Sequence, residues 1–295
     1  MKLVTFSTGS AARVGVVSAD GDAVHDVQEL LPPGAAMLDV IGAWDTLGPV
    51  LRERSAELTS VPLASVELLA PVPEPRRNIW CVGKNYRDHA VEFGRSGYDT
   101  PSRSEALPER PIMFSKATTA VTGPGALVDP GPTAELDYEG ELTVIIGTGG
   151  RGISREDAYR HVWGYTIIND ASARDFQFLT TQWMAGKIFE TAAPVGPYIA
   201  DRQEIADPHS LELRTFVNGK QMQRGNTKTF IFDVRYLVSY LSGLMTLSPG
   251  DLIATGTPPG VGLGMKPSPV FMQPGDVCRV EIDKLGSLEN PVKEA

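Results

Sequence analysis

The stretch LDYEGELTVIIG, residues 136–147, constrains the chain more than any other. Its second half, Leu142 to Ile146, is an apolar run closed by Gly147, as expected of a buried strand. Its first half alternates three carboxylates, Asp137, Glu139 and Glu141, with Leu136, Tyr138 and Gly140. A strand turns residues two apart to the same face. The pattern therefore sets three acids side by side at the mouth of a buried strand. Like charges so close repel, and a buried carboxylate without a partner is costly.

The rest of the chain supplies short strands to surround it. Residues 1–70 read as a small N-terminal domain, with strands at Val4–Phe6, Arg13–Val17 and Ala23–Val27. A helical stretch follows, with Leu38, Ile41 and Trp44 on one face and a break expected at Pro49. The Pro-rich PVPEPRR, residues 71–77, is the clearest domain boundary, and residues 74–292 form the second domain. Strands are expected at 78–82, 112–115, 142–146, 164–170, 211–217, 252–255 and 277–282. Ser154 reads as the N-cap of a helix over 158–162, and Asp233 precedes a helical apolar stripe, Val234, Leu237, Val238, Leu241 and Leu244. Scattered strands with few intervening helices exclude a doubly wound sheet and predict an α+β, mostly β fold.

Composition narrows the function. Formal net charge −9 and pI near 5.0 argue against nucleic acid and anionic membrane surfaces as partners. Two cysteines, Cys81 and Cys278, suit free thiols in a cytoplasmic setting. No signal-peptide pattern opens the chain, and no apolar run approaches the ~18 residues of a membrane span.

Several residues could carry chemistry. Glu139 and Glu141 could ligate one hard cation, Mg²⁺, Mn²⁺ or Ca²⁺, with Asp170 just beyond a neighbouring strand as a third oxygen donor. The competing reading is a solvated row of acids on an edge strand. His89 and Glu92 share a face if residues 81–94 are helical, and a carboxylate beside an imidazole makes a general base. Lys187, in a small-residue context, could bind a carboxylate or stabilise an enolate, or else snorkel to the surface. The loop ATGTPPGVG, residues 254–262, offers backbone N–H groups and the Thr257 hydroxyl to an anion. The polar stretch 92–111 reads as a lid or as a mobile surface insertion.

Taken in order, NYRDHAVE, PIMFSKA, LDYEGEL, GYTIINDASARDFQ, GKIFETAAPVGP, VNGKQMQ and GDLIATGTPPGVG resemble the fumarylacetoacetate hydrolase family over residues 75–292. The resemblance implies a rolled mixed β-sandwich, a homodimer, and Mg²⁺ or Mn²⁺ held by Glu139, Glu141 and Asp170. It implies Lys187 as the active-site lysine, Arg174, Gln177 and Thr257 as substrate-pocket residues, His89 with Glu92 as a catalytic dyad, and a lid over about 89–111. It further implies a small anionic 2-oxo acid substrate and C–C hydrolysis of an acylpyruvate through a chelated enolate, with water activated by the dyad. The same enolate supports decarboxylation, isomerisation or dehydration of a 2-oxo or 2-hydroxydienoic acid, as in aromatic or sugar acid catabolism. A non-catalytic metal or ligand binder is the remaining alternative. The further Asp ligand of the larger family members has no equivalent in VGKNYRDHA.

Overall fold

The computed structural model describes residues 1–9, 11–96 and 107–294. Part of the candidate lid, residues 97–106, lies outside the described residues. The strands in chain order are β1 Lys2–Ser7, β2 Arg13–Val17, β3 Ala23–Asp26, β4 Ser60–Pro62, β5 Glu67–Leu69, β6 Ile79–Gly83, β7 Ile112–Lys116, β8 Val121–Thr122 and β9 Leu136–Asp137. They continue with β10 Gly140–Ile146, β11 Val162–Asn169, β12 Ser172–Ala173, β13 Ala193–Asp201, β14 Glu212–Val217, β15 Lys220–Asn226, β16 Leu252–Ala254, β17 Val277–Ile282 and β18 Gly286–Pro291. The helices are α1 Met37–Gly42, α2 Trp44–Arg54, α3 Arg87–Gly94, α4 Ala158–His161, α5 Arg174–Gln177 and α6 Val234–Leu244.

A large mixed sheet runs β4-β3-β2-β1-β13-β11-β10-β16-β6-β7, and a smaller antiparallel sheet runs β15-β14-β17-β18. The large sheet is antiparallel along that path except where β16 meets β6 in parallel. The fold is therefore mostly β, in mixed sheets, as the strand pattern predicts. Strands of the N-terminal segment continue the large sheet, since β1 pairs with β13. No helix among the described residues is long and apolar enough to cross a membrane.

Strand periodicity explains the layers. Leu142, Val144 and Ile146 of β10 point into a core shared with Leu213, Val280 and Ile282 of the smaller sheet and with Leu237, Val238 and Leu241 of α6. Ile145 points the other way, into a core with Val40, Ile41 and Leu51 of α1 and α2. Each such fully buried side chain contributes about 1.5–3 kcal/mol. Glu139 and Glu141 have the parity of Ile145, so they leave the inter-sheet core and face β6 and β7.

Two expectations are corrected. The helical break falls at Ala43 rather than Pro49, which lies inside α2. Pro49 forfeits one intrahelical hydrogen bond. Trp44, at the start of α2, packs edge-on against Trp163 at 5.0 Å and 86°. The N-cap of α4 is Asp157, and the Ser154 hydroxyl accepts the Asp157 N–H at 3.1 Å from one turn before it. Asp233 caps α6 as expected, accepting from the Tyr236 N–H at 2.7 Å.

Asn85 joins the site to the fold. Its buried amide donates to Phe232 O at 3.0 Å and Thr255 O at 2.7 Å, and accepts from the Phe232 N–H at 2.8 Å. This fixes the exit of β6, from which α3 starts. Asn85→Ala leaves three buried backbone groups unpaired, and a denaturation curve is expected to show a loss of about 3 kcal/mol.

Candidate active site

The antiparallel pairing of β10 with β11 sets Glu141 opposite Ile168 and Gly140 opposite Asn169. The Asp170 N–H then donates to Glu139 O at 2.8 Å. Asp170 thus arrives beside the two glutamates. Carboxylate oxygens of Glu139, Glu141 and Asp170 all lie within 4.8 Å of one another, and all three residues are buried. A solvated edge-strand row is excluded, because β10 lies between β11 and β16.

The acids are held by buried cations. Lys187 Nζ donates to Glu139 Oε2 at 2.8 Å and Asp170 Oδ2 at 2.9 Å. Lys116 Nζ donates to Asp170 Oδ1 at 2.6 Å. Arg174 reaches Glu139 Oε1 at 2.6 Å and Asp137 Oδ2 at 2.8 Å. Three cations therefore face four carboxylates, and the unbalanced acid is Glu141. Among the described residues its hydrogen bond is from the Gly256 N–H, at 2.7 Å. Gly256 has φ +101°, and a Cβ there would meet Asn85 Cβ at 2.7 Å, so glycine is required.

Protonation follows from this imbalance. Burial, then the charges of Asp170 and Glu139, push Glu141 well above the usual carboxylate range. Burial would raise Glu139 too, but Lys187 and Arg174 outweigh it and hold Glu139 low. Burial would lower Lys187, but Asp170 and Glu139 raise it. A hard divalent cation fits these residues, which offer three converging oxygens and one uncompensated negative charge. Carboxylate oxygens carry further lone pairs, so the ion pairs of Glu139 and Asp170 do not exclude it.

The dyad lies on α3. His89 Nδ1 lies 3.2 Å from Glu92 Oε2. The Gly260 N–H donates to both Glu92 oxygens, at 3.0 and 3.1 Å. Gly260 has φ +102°, and a Cβ there would lie 2.2 Å from Met222 O. Gly260→Ala is expected to displace this donor and lower turnover by roughly 10-fold or more with little change in cation affinity, as an orienting partner of a general base would.

His89, Glu139, Glu141, Gln177, Lys187 and Thr257 line one cavity of about 280 Å³, including the solvent at its mouth. Phe93, Phe114 and Trp183 form its apolar wall. Asp170 lies behind Lys187. Arg174, fully buried, lies behind Glu139 and binds Gln177 Oε1 at 2.8 Å. The Thr257 hydroxyl donates to Gly140 O at 2.9 Å and accepts from Gln223 at 2.8 Å, tying the loop to the start of β10.

Two residues went unread in the sequence, Lys116 and Lys84, while Asp137 was read without a ligand role. Lys116 ends β7 inside PIMFSKA, where a lysine closing an apolar strand is the available signal. Lys84 lines the cavity with φ +56°, and such strain in a non-glycine residue collects at functional sites. Asp137, left without a partner by the spacing, takes four hydrogen bonds, from Arg174 and from the Tyr138, Gly262 and Leu263 N–H groups. Arg174→Ala would remove the buried cation shared by Asp137 and Glu139, and a thermal or denaturant melt is expected to show a loss of about 3 kcal/mol.

The chain is similar to known proteins. The family model "Fumarylacetoacetate (FAA) hydrolase C-terminal" matches residues 78–293. The chain is 47% identical over 233 residues to oxaloacetate tautomerase YisK of Bacillus subtilis, covering 78% of this chain and 74% of that one. It is 38% identical over 299 residues to the mitochondrial oxaloacetate tautomerase FAHD2A of Bos taurus, covering 99% and 91%. The solved maleylpyruvate hydrolase of Sphingobium sp. SYK-6, in complex with manganese(II) and pyruvate, superposes with a TM-score of 0.80 at 30% identity over the whole of both chains. With that family model matching residues 78–293, well over half of its length, the chain belongs to the fumarylacetoacetate hydrolase family.

Proposed function

We propose that the protein interconverts the enol and keto forms of a small 2-oxo dicarboxylic acid of the oxaloacetate type. The observation that carries this is His89, oriented by Glu92, lining one small cavity with Lys187, Glu139 and Glu141. The two tautomerase relatives point the same way.

Glu139, Glu141 and Asp170 would hold the ion, Mg²⁺ or Mn²⁺. When bound, a divalent cation supplies Lewis-acid stabilisation of negative charge on the substrate oxygens. The chain's own residues bind and move the proton. Lys187 and Lys84 line the cavity beside the acids. Glu92 accepts from His89 Nδ1–H, which leaves Nε2 as the base. Nε2 removes a proton from the CH₂ beside the carbonyl, and the resulting Nε2–H gives that proton to the carbonyl oxygen, which returns the imidazole to its starting form. One C–H bond breaks, one O–H bond forms, and the reverse path restores the ketone. Phe93, Phe114 and Trp183 limit water around the reacting carbon.

A second reading is acylpyruvate hydrolysis, favoured by the likeness to maleylpyruvate hydrolase. There His89 would take a proton from water, and the water would attack the distal carbonyl. Enol-oxaloacetate absorbance decay, followed beside an acylpyruvate assay for pyruvate release, separates the two. Accelerated ketonisation without pyruvate release supports tautomerisation. Pyruvate release from acylpyruvates, with enol decay at the uncatalysed rate, overturns it in favour of hydrolysis.

A further inference from the structure

His209 closes the N-terminus of α6, and the contact fixes which of its ring nitrogens carries the proton. The Val234 N–H, the first of the helix, donates to His209 Nε2 at 3.1 Å. A backbone N–H can only donate, so Nε2 is bare and the neutral ring carries its proton on Nδ1. Nδ1 lies 3.2 Å from the hydroxyl of Tyr159 on α4, which accepts that proton's hydrogen bond. The imidazolium would turn an N–H against the Val234 N–H and set a positive charge at the positive end of the helix dipole. The contact therefore has two states, made by the neutral ring and broken by the charged one.

The same ring reaches towards the dyad. It packs edge-on against Phe230 at 6.2 Å and 85°, and Phe230 packs edge-on against Tyr86, the N-cap residue of α3, at 4.9 Å and 78°. Between Phe230 and Val234, the Ile231 and Phe232 N–H groups donate to Asn85 O and Oδ1 at 2.7 and 2.8 Å. His209 thus grips both ends of segment 230–234, against which the start of α3 is seated. Among the described residues, the charged groups acting on the ring are Asp207 beside it in the chain and Asp233 and Arg235 of α6. Asp207 Oδ1 lies 3.7 Å from Nδ1 and accepts the His209 backbone N–H at 2.9 Å. Asp233 is engaged by the Tyr236 N–H at 2.7 Å and by Arg155 at 3.7 Å. Arg235 lies over the Tyr159 ring at 4.7 Å. Burial pushes His209 below the ordinary histidine value and Arg235 adds to this, while Asp233 and Asp207 oppose it.

We propose that His209 is a positioning residue for the His89–Glu92 dyad, a latch that holds segment 230–234 while its ring is neutral and releases it on protonation. The consequence for turnover rests on the proposed role of the dyad, whereas the latch is measurable without any turnover. A histidine whose folded pKa is lowered stabilises the fold above its unfolded value of ~6.5, and that contribution is lost as pH falls through the folded value. The test combines ring-nitrogen NMR, thermal melts and amide exchange on the intact protein from about pH 7.5 to about 5, where histidine titrates. Wild type is compared with His209→Gln, whose amide oxygen accepts the Val234 N–H and does not titrate. The ring is expected to show the Nδ1–H tautomer and to titrate below the ordinary histidine value. On acidification, wild type is expected to lose about 2 °C or more in Tm relative to the Gln variant. Its Ile231 and Phe232 amides are expected to lose about 10-fold in protection that the variant keeps. The Nε2–H tautomer, or titration at or above the ordinary value, would overturn the proposal even if the variant failed to fold. An equal acid loss of Tm or of amide protection in both proteins would overturn it as well.

Discussion

Replacing Glu141 by Gln is expected to lower turnover by on the order of 10³-fold or more while leaving the fold intact or stabilised. The substitution keeps an oxygen to accept the Gly256 N–H and removes the one buried charge that no cation in the site offsets. The sign of the stability effect follows from the direction of its shift. A carboxyl whose folded pKa is raised stabilises the fold below its unfolded pKa and loses that contribution as pH rises through the folded value. The cation-free protein is therefore expected to lose stability as pH rises above the ordinary glutamate range, and the Gln variant to lose less. Thermal melts of chelator-treated protein across that range check this. A variant that melts markedly lower than wild type at neutral pH would mean that Glu141 is a structural partner and not the uncompensated acid.

His89→Ala is expected to cost about 10²–10⁴-fold in turnover, the range for removing a general acid–base group, with divalent-cation affinity little changed. The split is diagnostic. His89 faces the cavity and Glu92 and is not among the three converging carboxylates. Steady-state ketonisation rates and cation titration on the same preparation check both halves. Turnover within twofold of wild type would remove His89 from the chemistry.

Much of the fold and site was legible in the sequence because both rest on local rules. Period-2 alternation gave β10 and the shared face of Glu139 and Glu141. The i,i+3 relation gave the α3 face carrying His89 and Glu92, and Asp170 was read as lying just past a second apolar strand. The remainder depends on tertiary packing. Arg174 behind Glu139, Lys116 on Asp170, and Asp137 gripping the Gly262–Leu263 backbone are contacts between segments 35 to 126 residues apart. No local pattern encodes them. The α1–α2 break was misplaced for the same reason: Trp44 at the start of α2 packs on Trp163, a contact across more than a hundred residues that no local pattern announces. Trp163 itself is re-aimed by a bulge that breaks the alternation on which strand reading depends.

The central claim is that Glu139, Glu141 and Asp170 hold a divalent cation that the His89-dependent proton transfer requires. Its most direct measurement is ketonisation of enol-oxaloacetate by chelator-treated protein, before and after adding back Mn²⁺ or Mg²⁺. The account predicts a rate near the uncatalysed one after chelation, restored by either cation in wild type but not in Asp170→Ala. Full activity in the chelated protein, or restoration in the Asp170 variant, would contradict it.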